Sequence, residues 1–220
     1  MKKYLVIGNP IDHSLSPKLH NFWIKKYKVD AEYGRLLLKE SDLKNVISQI
    51  QKDEIVGINV TVPFKKKIIP YLDVLTPLAK EANSVNTVYK KNNKIIGDNT
   101  DIDGFSKSLN AINFNPKNKT AFIIGAGGVA LSIIVALKKM GISIIKITNR
   151  TFSEPKLLKK KYPDLDIIQW GQNSEFDIII NATSLGLKKN ERIPLEFKKK
   201  NEKKIFYDVI YNPKKTNFLL

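Results

Sequence analysis

Cysteine is absent from the 220-residue chain, which excludes disulfides and thiolate metal sites and is compatible with a reducing compartment. Arginine is nearly as scarce, with only Arg35, Arg150 and Arg192 present. Histidine occurs only at His13 and His20. Two imidazoles without thiols make a poor ligand set, so both are read as structural and no metal site is expected. No stretch approaches the roughly 20 apolar residues that a membrane helix needs. The N-terminal Met1-Lys2-Lys3-Tyr4-Leu5-Val6-Ile7 stops resembling a signal region at Gly8-Asn9-Pro10 and Asp12. A cytoplasmic protein without a membrane partner is the expectation.

Lysine carries nearly all of a formal net charge of +17. Such an excess attracts phosphate backbones, yet it is spread along the chain and lacks the interleaved aromatics that stack bases. The runs Lys65-Lys66-Lys67, Lys159-Lys160-Lys161 and Lys198-Lys199-Lys200 therefore read as solvated helix faces and loops. No nucleic-acid partner is expected, and a bias toward small anionic ligands remains compatible with the charge. A hydrophobic fraction of 42% suffices for one large core or two small ones.

Strands and helices alternate from the start. Lys3 to Gly8 reads as a strand, Ser16 as an N-cap with Pro17 as first helical residue, and Leu19, Phe22 and Trp23 as the apolar stripe of the helix that follows. Tyr33 to Leu38 is strand-like, and behind Ser41 the residues Leu43, Val46, Ile47 and Ile50 recur at helical spacing. Ile55 to Val62 gives a third strand, leading through Pro63 and Phe64 into a short helix. Val85 to Tyr89 and Lys94 to Gly97 form a hairpin turned at Asn92-Asn93. A helix over Asp101 to Ile112 ends at the segment Asn113-Phe114-Asn115-Pro116-Lys117-Asn118, read as the linker between domains 1–112 and 113–220. Beyond it, strands at Thr120 to Ile124, Ile144 to Thr148, Asp166 to Gln169, Asp177 to Asn181 and Ile205 to Val209 alternate with a helix over Leu131 to Met140 and suggest a doubly wound sheet.

Between the first strand and helix of this second half lies Gly125-Ala126-Gly127-Gly128-Val129-Ala130. In that context the glycines have mechanical roles: Gly125 permits a tight turn, Gly127 admits a pyrophosphate to the backbone, and small Ala130 allows close helix packing. The helix N-terminus adds free N–H groups and a positive dipole end. After the next strand comes Asn149-Arg150-Thr151, where an NAD-preferring site would place an acid for the ribose hydroxyl. An always-charged guanidinium suits a 2′-phosphate instead, so the cofactor is expected to be NADP.

Three clusters in the first half carry candidate chemistry: Asn59-Val60-Thr61-Val62-Pro63-Phe64-Lys65, Ser84-Val85-Asn86-Thr87 and Asp98-Asn99-Thr100-Asp101. Each follows a β-branched run, where a strand gives way to a loop. Ser14 and Ser16, at the start of the first helix, are placed to donate to a carboxylate, although Ser16 serves equally well as a plain cap.

Taken together, HSLSP at His13 to Pro17, NVTVPFK at Asn59 to Lys65, VNT at Val85 to Thr87, NTD at Asn99 to Asp101, GAGG at Gly125 to Gly128, NRT at Asn149 to Thr151, NATSLG at Asn181 to Gly186 and YDVIYNPKKT at Tyr207 to Thr216 resemble the shikimate dehydrogenase family. The resemblance implies an α/β substrate domain followed by a Rossmann-type NADP domain, and reversible NADPH-dependent reduction of 3-dehydroshikimate to shikimate in aromatic amino-acid biosynthesis. It implies that Ser14 and Ser16 hold the substrate carboxylate, that Thr61, Asn86 and Tyr211 contact the ring, and that Lys65 and Asp101 form the catalytic pair. It also places Gly125, Ala126, Gly127, Gly128 and Val129 at the pyrophosphate, Asn149, Arg150 and Thr151 at the adenosine phosphate, and Thr183 and Val209 along the ribose and nicotinamide. Asn99 has the alternative of shaping the loop that aims Asp101, and Val209 that of ordinary strand core.

Two departures from the family pattern stand out. The family's arginine after the glycine run is replaced by the stretch Val129-Ala130-Leu131-Ser132. Its C-terminal helices, which supply a glutamine to the ligand and a glycine near the nicotinamide, would follow Phe218-Leu219-Leu220. Competing readings are a quinate-accepting dehydrogenase and a cleft protein that binds shikimate without turnover. Monomer and homodimer both remain open.

Overall fold

β-Branched runs bounded by Gly, Asn and Pro become strands because their stiff side chains fit a pleated, half-buried surface. A computed structural model of the chain describes residues 1–188, 191–195, 204–211, 216 and 218–219. The lysine run at 198–200 and positions 212–215 of the last motif lie outside them. In chain order the elements are β1 (Lys2–Gly8), α1 (Ser16–Lys26), β2 (Ala31–Leu37), α2 (Leu43–Gln51), β3 (Gly57–Val60), β4 (Val74–Leu75), α3 (Pro77–Ala82), β5 (Thr87–Lys91), β6 (Lys94–Asp98), α4 (Asp101–Ala111), β7 (Thr120–Ile124), α5 (Gly128–Lys139), β8 (Ile144–Thr148), α6 (Ser153–Lys161), β9 (Leu165–Ile167), β10 (Ile178–Asn181) and β11 (Ile205–Asp208). Among the described residues no helix is long and apolar enough to cross a membrane.

The chain divides into two compact units, 1–102 and 103–220. The break falls after Ile102, ahead of the boundary expected at 112. Helix α4 groups mostly with the second unit because Phe105 meets the Tyr207 ring edge-on at 4.9 Å and Ser108 Oγ lies 3.2 Å from the Tyr207 hydroxyl.

The first unit holds a mixed sheet in the order β2-β1-β3-β5-β6-β4. The pairs β1/β2, β1/β3 and β4/β6 are parallel, whereas β3/β5 and the hairpin β5/β6 are antiparallel. Asn92 and Asn93 turn that hairpin with positive φ of 50° and 59°, as the type I′ geometry of a two-residue loop requires. Helix α2 packs Leu43, Val46, Ile47 and Ile50 onto Ile58, Val60 and Val88 of one sheet face. Burying such a side chain stabilises by about 1.5–3 kcal/mol, more than any helix-propensity difference among these residues.

Helix α1 behaves differently from its sequence pattern. Leu19, Phe22 and Trp23 do not face the core; they are 55%, 57% and 41% exposed, and the Trp23 ring packs on both Phe22 and Tyr27, with the Lys26 ammonium over Trp23 and Tyr27. Polar contacts decide the docking: Asn21 Nδ2 donates to Tyr33 O at 2.8 Å and its Oδ1 accepts Tyr33 N–H at 3.0 Å, while Ile24 packs beside Val6, Ile11 and Tyr33. Ser16 is the first helical residue rather than the cap, since Ser14 Oγ accepts its N–H at 3.3 Å. Pro63 and Phe64 lie in a run of turns that closes in a 3-10 turn at Ile69–Tyr71, where a short helix was expected.

The second unit is an all-parallel sheet ordered β11-β10-β7-β8-β9. Its central strands β7 and β10 are buried on both sides, as their Ile-rich runs foretell. The order reverses between β7 and β10, which puts a ligand crevice at the carboxyl ends of those strands.

Candidate active site and dinucleotide cradle

In the first unit Ile7 pairs with Val60, and Thr87 pairs with both Asn59 and Asp98. That register lines up the end of β1, the end of β3, the start of β5 and the end of β6 on one sheet edge. The three polar clusters and the loop after β1 that leads to Ser14 and Ser16 therefore open together. Gly8 is required where β1 ends, because a Cβ there would sit 2.6 Å from Thr61 Cγ2 and 3.1 Å from Val62 O. The loops are tied by Asn9 N–H to Val62 O at 3.0 Å, Thr61 N–H to Ile7 O at 2.9 Å and Val85 N–H to Lys65 O at 2.8 Å.

On this edge Lys65 Nζ donates to Asp101 Oδ2 at 2.6 Å, with the two side chains 13% and 27% exposed. Asn86 Nδ2 donates to the other oxygen, Asp101 Oδ1, at 2.7 Å. Asn99 anchors the carboxylate from behind: it is buried, its Nδ2 donates to Ser84 O at 2.8 Å, and its Oδ1 accepts the N–H groups of Asp101 at 3.1 Å and Ile102 at 3.4 Å. It thus caps α4, whose positive end favours the negative charge on Asp101. Among the described residues Asp101 is the only side-chain acceptor of the Lys65 ammonium, which carries three N–H bonds. A lysine so held can donate further to an oxygen on a ligand.

The other expected substrate contacts are distributed as follows. Ser14 is buried and Ser16 half-buried at the start of α1, Thr61 lies in the loop after β3 beside Gly8, and Tyr211 belongs to the second unit, exposed beyond β11. His20 stacks on Tyr33 with ring centroids 4.2 Å apart, and burial pulls its pKa below 6.5. Among the described residues no group of three His, Asp or Glu side chains is placed to hold a metal ion.

In the second unit Gly125 has φ +105°, and a Cβ there would meet Thr183 Cγ2 at 2.8 Å and Ala182 O at 2.9 Å. Only glycine combines that conformation with that approach. Gly127 precedes the first turn of α5, and a Cβ built on it would meet nothing within 4 Å. This open cradle before a helix of 12 residues fits a pyrophosphate, with Gly128 and Val129 in the first turn and Ala130 fully buried behind them. Asn149 bridges two loops: its Oδ1 accepts Ala126 N–H at 3.3 Å and its Nδ2 donates to Thr151 O at 3.0 Å. Arg150 and Thr151 are exposed beside it. Thr183 donates to Asn181 Oδ1 at 2.7 Å, and half-buried Val209 gives its N–H to Asn181 O at 3.2 Å.

Several organising residues carry no role in the sequence reading. Asn181 Nδ2 and Ile210 N–H both donate to Asp208 Oδ1 at 3.0 Å, so Asp208 fastens the loops after β10 and β11. Thr100 N–H donates to Asn86 Oδ1 at 2.9 Å. The available signal is a polar residue closing an otherwise apolar strand, as Asn181 and Asp208 do.

Residues 6–88 match the family profile described as the shikimate dehydrogenase substrate binding domain, and residues 108–215 match the one described as shikimate / quinate 5-dehydrogenase. Shikimate dehydrogenase (NADP(+)) of Pelagibacter ubique is 57% identical over 218 residues, covering 99% of this chain and 82% of that protein. The crystal structure of shikimate dehydrogenase from Aquifex aeolicus superposes with a TM-score of 0.90 at 36% identity, over 100% of this chain and 82% of that one. The Thermus thermophilus enzyme, solved with NADP(H) and shikimate, gives 0.89 at 29% identity with the same coverage. Motif order, sheet topology and these likenesses agree, and the chain belongs to the shikimate dehydrogenase family.

Proposed function

We propose that this protein interconverts 3-dehydroshikimate and shikimate with NADP(H), and that Lys65 and Asp101 are its catalytic pair. The observation that carries the reading is the Lys65 ammonium held 2.6 Å from Asp101, whose second oxygen is engaged by Asn86. When bound, NADPH supplies a hydride for the ketone carbon. Reduction then leaves negative charge on the ketone oxygen and requires one proton there. Lys65 delivers or relays that proton and stabilises the charge as it develops. Asp101 keeps the ammonium aimed, and Asn86 keeps Asp101 in one rotamer. Ser14 and Ser16 hold the substrate carboxylate near the N-terminus of α1, Thr61 and Tyr211 contact the ring, and the turn from Gly125 to Val129 holds the pyrophosphate. Arg150, with Asn149 and Thr151, receives the adenosine phosphate, while Thr183 and Val209 line the ribose and nicotinamide.

A spectrophotometric assay of shikimate-dependent NADP reduction tests the activity, with quinate run in parallel. Turnover of shikimate ahead of quinate is expected. Lys65→Ala should lower kcat by about 10²–10⁴ while changing the shikimate KM far less. An undiminished kcat would remove Lys65 from the chemistry.

A further inference from the structure

Behind the Asp101–Lys65 pair, polar side chains run across the first sheet to β2. Tyr33, 7% exposed, directs its hydroxyl to Asn59 Oδ1 at 2.6 Å. Asn59 Nδ2 donates to Asn86 O and to Thr87 Oγ1, each at 3.2 Å. Thr87 donates to Asn86 Oδ1 at 3.0 Å, and Asn86 Nδ2 reaches Asp101 Oδ1 at 2.7 Å.

The direction of each bond follows from chemistry. A main-chain carbonyl only accepts, so the Asn86 carbonyl fixes the Asn59 amide with its nitrogen inward and its oxygen toward Tyr33. The phenol must then donate. Because Thr87 Oγ1 accepts from Asn59, its single proton is free for Asn86 Oδ1. With that oxygen facing Thr87 and the Thr100 N–H, the Asn86 nitrogen is left facing the carboxylate. Donors therefore run one way from phenol to Asp101, each link polarising the next. The ring end is fixed as well, by the His20 stack at 4.2 Å and by both Asn21 bonds to the Tyr33 backbone.

We infer that Tyr33 is a positioning residue of the reaction, acting through Asn59, Thr87 and Asn86 to hold Asp101 and thereby to aim Lys65. The inference rests on the catalytic pair proposed above. Without the hydroxyl, Asn59 Oδ1 loses its donor, and the bonds that run through Thr87 to Asn86 and Asp101 lose the polarisation lent by their outermost link. Aim is lost while the substrate-binding groups stay in place.

The test uses Tyr33→Phe, which keeps the ring and its stack, together with Thr87→Val and the double variant. Tyr33→Phe is expected to lower kcat about three- to tenfold, the equivalent of one neutral hydrogen bond, with shikimate and NADP KM values within about twofold. Thr87→Val breaks the same series of bonds, so the double variant should fall little below the worse single one. A Tyr33→Phe kcat equal to wild type, a loss appearing in KM alone, or factors that multiply in the double variant would overturn the inference. Side-chain amide NMR of Asn86 supplies an answer that does not depend on turnover. Its NH2 pair should exchange slowly with solvent in the wild type and faster in Tyr33→Phe, although the altered hydroxyl does not touch it. An unchanged Asn86 signal would equally sink the relay. Absence of shikimate turnover in the wild type would instead remove the functional reading and leave the relay to be decided by the amide signals.

Discussion

Arg150 stands exposed just past β8, next to an Asn149 whose amide is already occupied by Ala126 and Thr151. Of that motif only Arg150 carries a permanent positive charge, and the phosphate contact proposed for it is testable. Arg150→Ala should raise the KM for NADP about tenfold, the low end for a charge-assisted bond because solvent screens the site. Its KM for NAD should hardly move, and kinetics with both cofactors will decide; an equal rise for both would mean that Arg150 does not read the 2′-phosphate. The clusters that hold Lys65, Asn86 and Asp101 stood out because each follows a β-branched run, while the roles of the three residues came from the resemblance to the family. Tyr33 did not stand out, since a phenol in an apolar strand carries no mark of its hydrogen-bond partner 26 residues away.

For the elements, periodicity served well wherever one apolar face meets one sheet. The stripe of α2 is fully realised, and the strands β7 and β8 begin and end where their sequence pattern does. Helix α1 is the exception, because Asn21 and Ile24 rather than Phe22 and Trp23 settle its orientation. A hydropathy pattern cannot anticipate that a paired amide will outrank an indole. Between β7 and α5 the opposite holds: the glycine at 125 is demanded twice, by φ +105° and by the 2.8 Å approach of Thr183. Gly125→Ala should destabilise the fold by about 1–3 kcal/mol, seen as a lower urea midpoint, and should weaken NADP binding. Gly127→Ala, with open space at its Cβ, should leave the midpoint nearly unchanged. Equal midpoints for Gly125→Ala and wild type would show that the turn bears no strain.

Across the whole molecule, acid should act in two stages. Burial depresses the His20 pKa below 6.5, so the unfolded chain binds a proton there first; the stability present above pH 6.5 is lost as pH falls through the folded value. At Asp177 burial pushes the carboxyl pKa up, but the Thr120 N–H at 2.8 Å and Lys119 at 3.0 Å outweigh it and bring it below 3.8. Its contribution is complete above pH 3.8 and disappears as pH drops through the lower folded value. A net charge of +17 grows more positive as carboxylates protonate, adding self-repulsion in the same direction. Urea midpoints measured from pH 8 to pH 3 should therefore fall, with His20→Phe flattening the portion below pH 6.5 and Asp177→Asn the portion near pH 3. A midpoint independent of pH would contradict both assignments.

Sequence alone determined both ends of β7 and β8, the glycine turn, the presence of the helix that follows it and the residue types of the candidate site, because these are set by local sterics and by periods of 2 and 3.6 residues. Only tertiary structure decided that Lys65, Asn86 and Asp101 meet within hydrogen-bond distance, that α1 turns its aromatic rings outward, and that Tyr33 reaches Asn59. The meeting of the polar clusters and the reach of Tyr33 depend on sheet register, which pairs residues far apart in the chain, and a one-residue slip of β2 or β3 would turn Tyr33 or Asn59 to the opposite face.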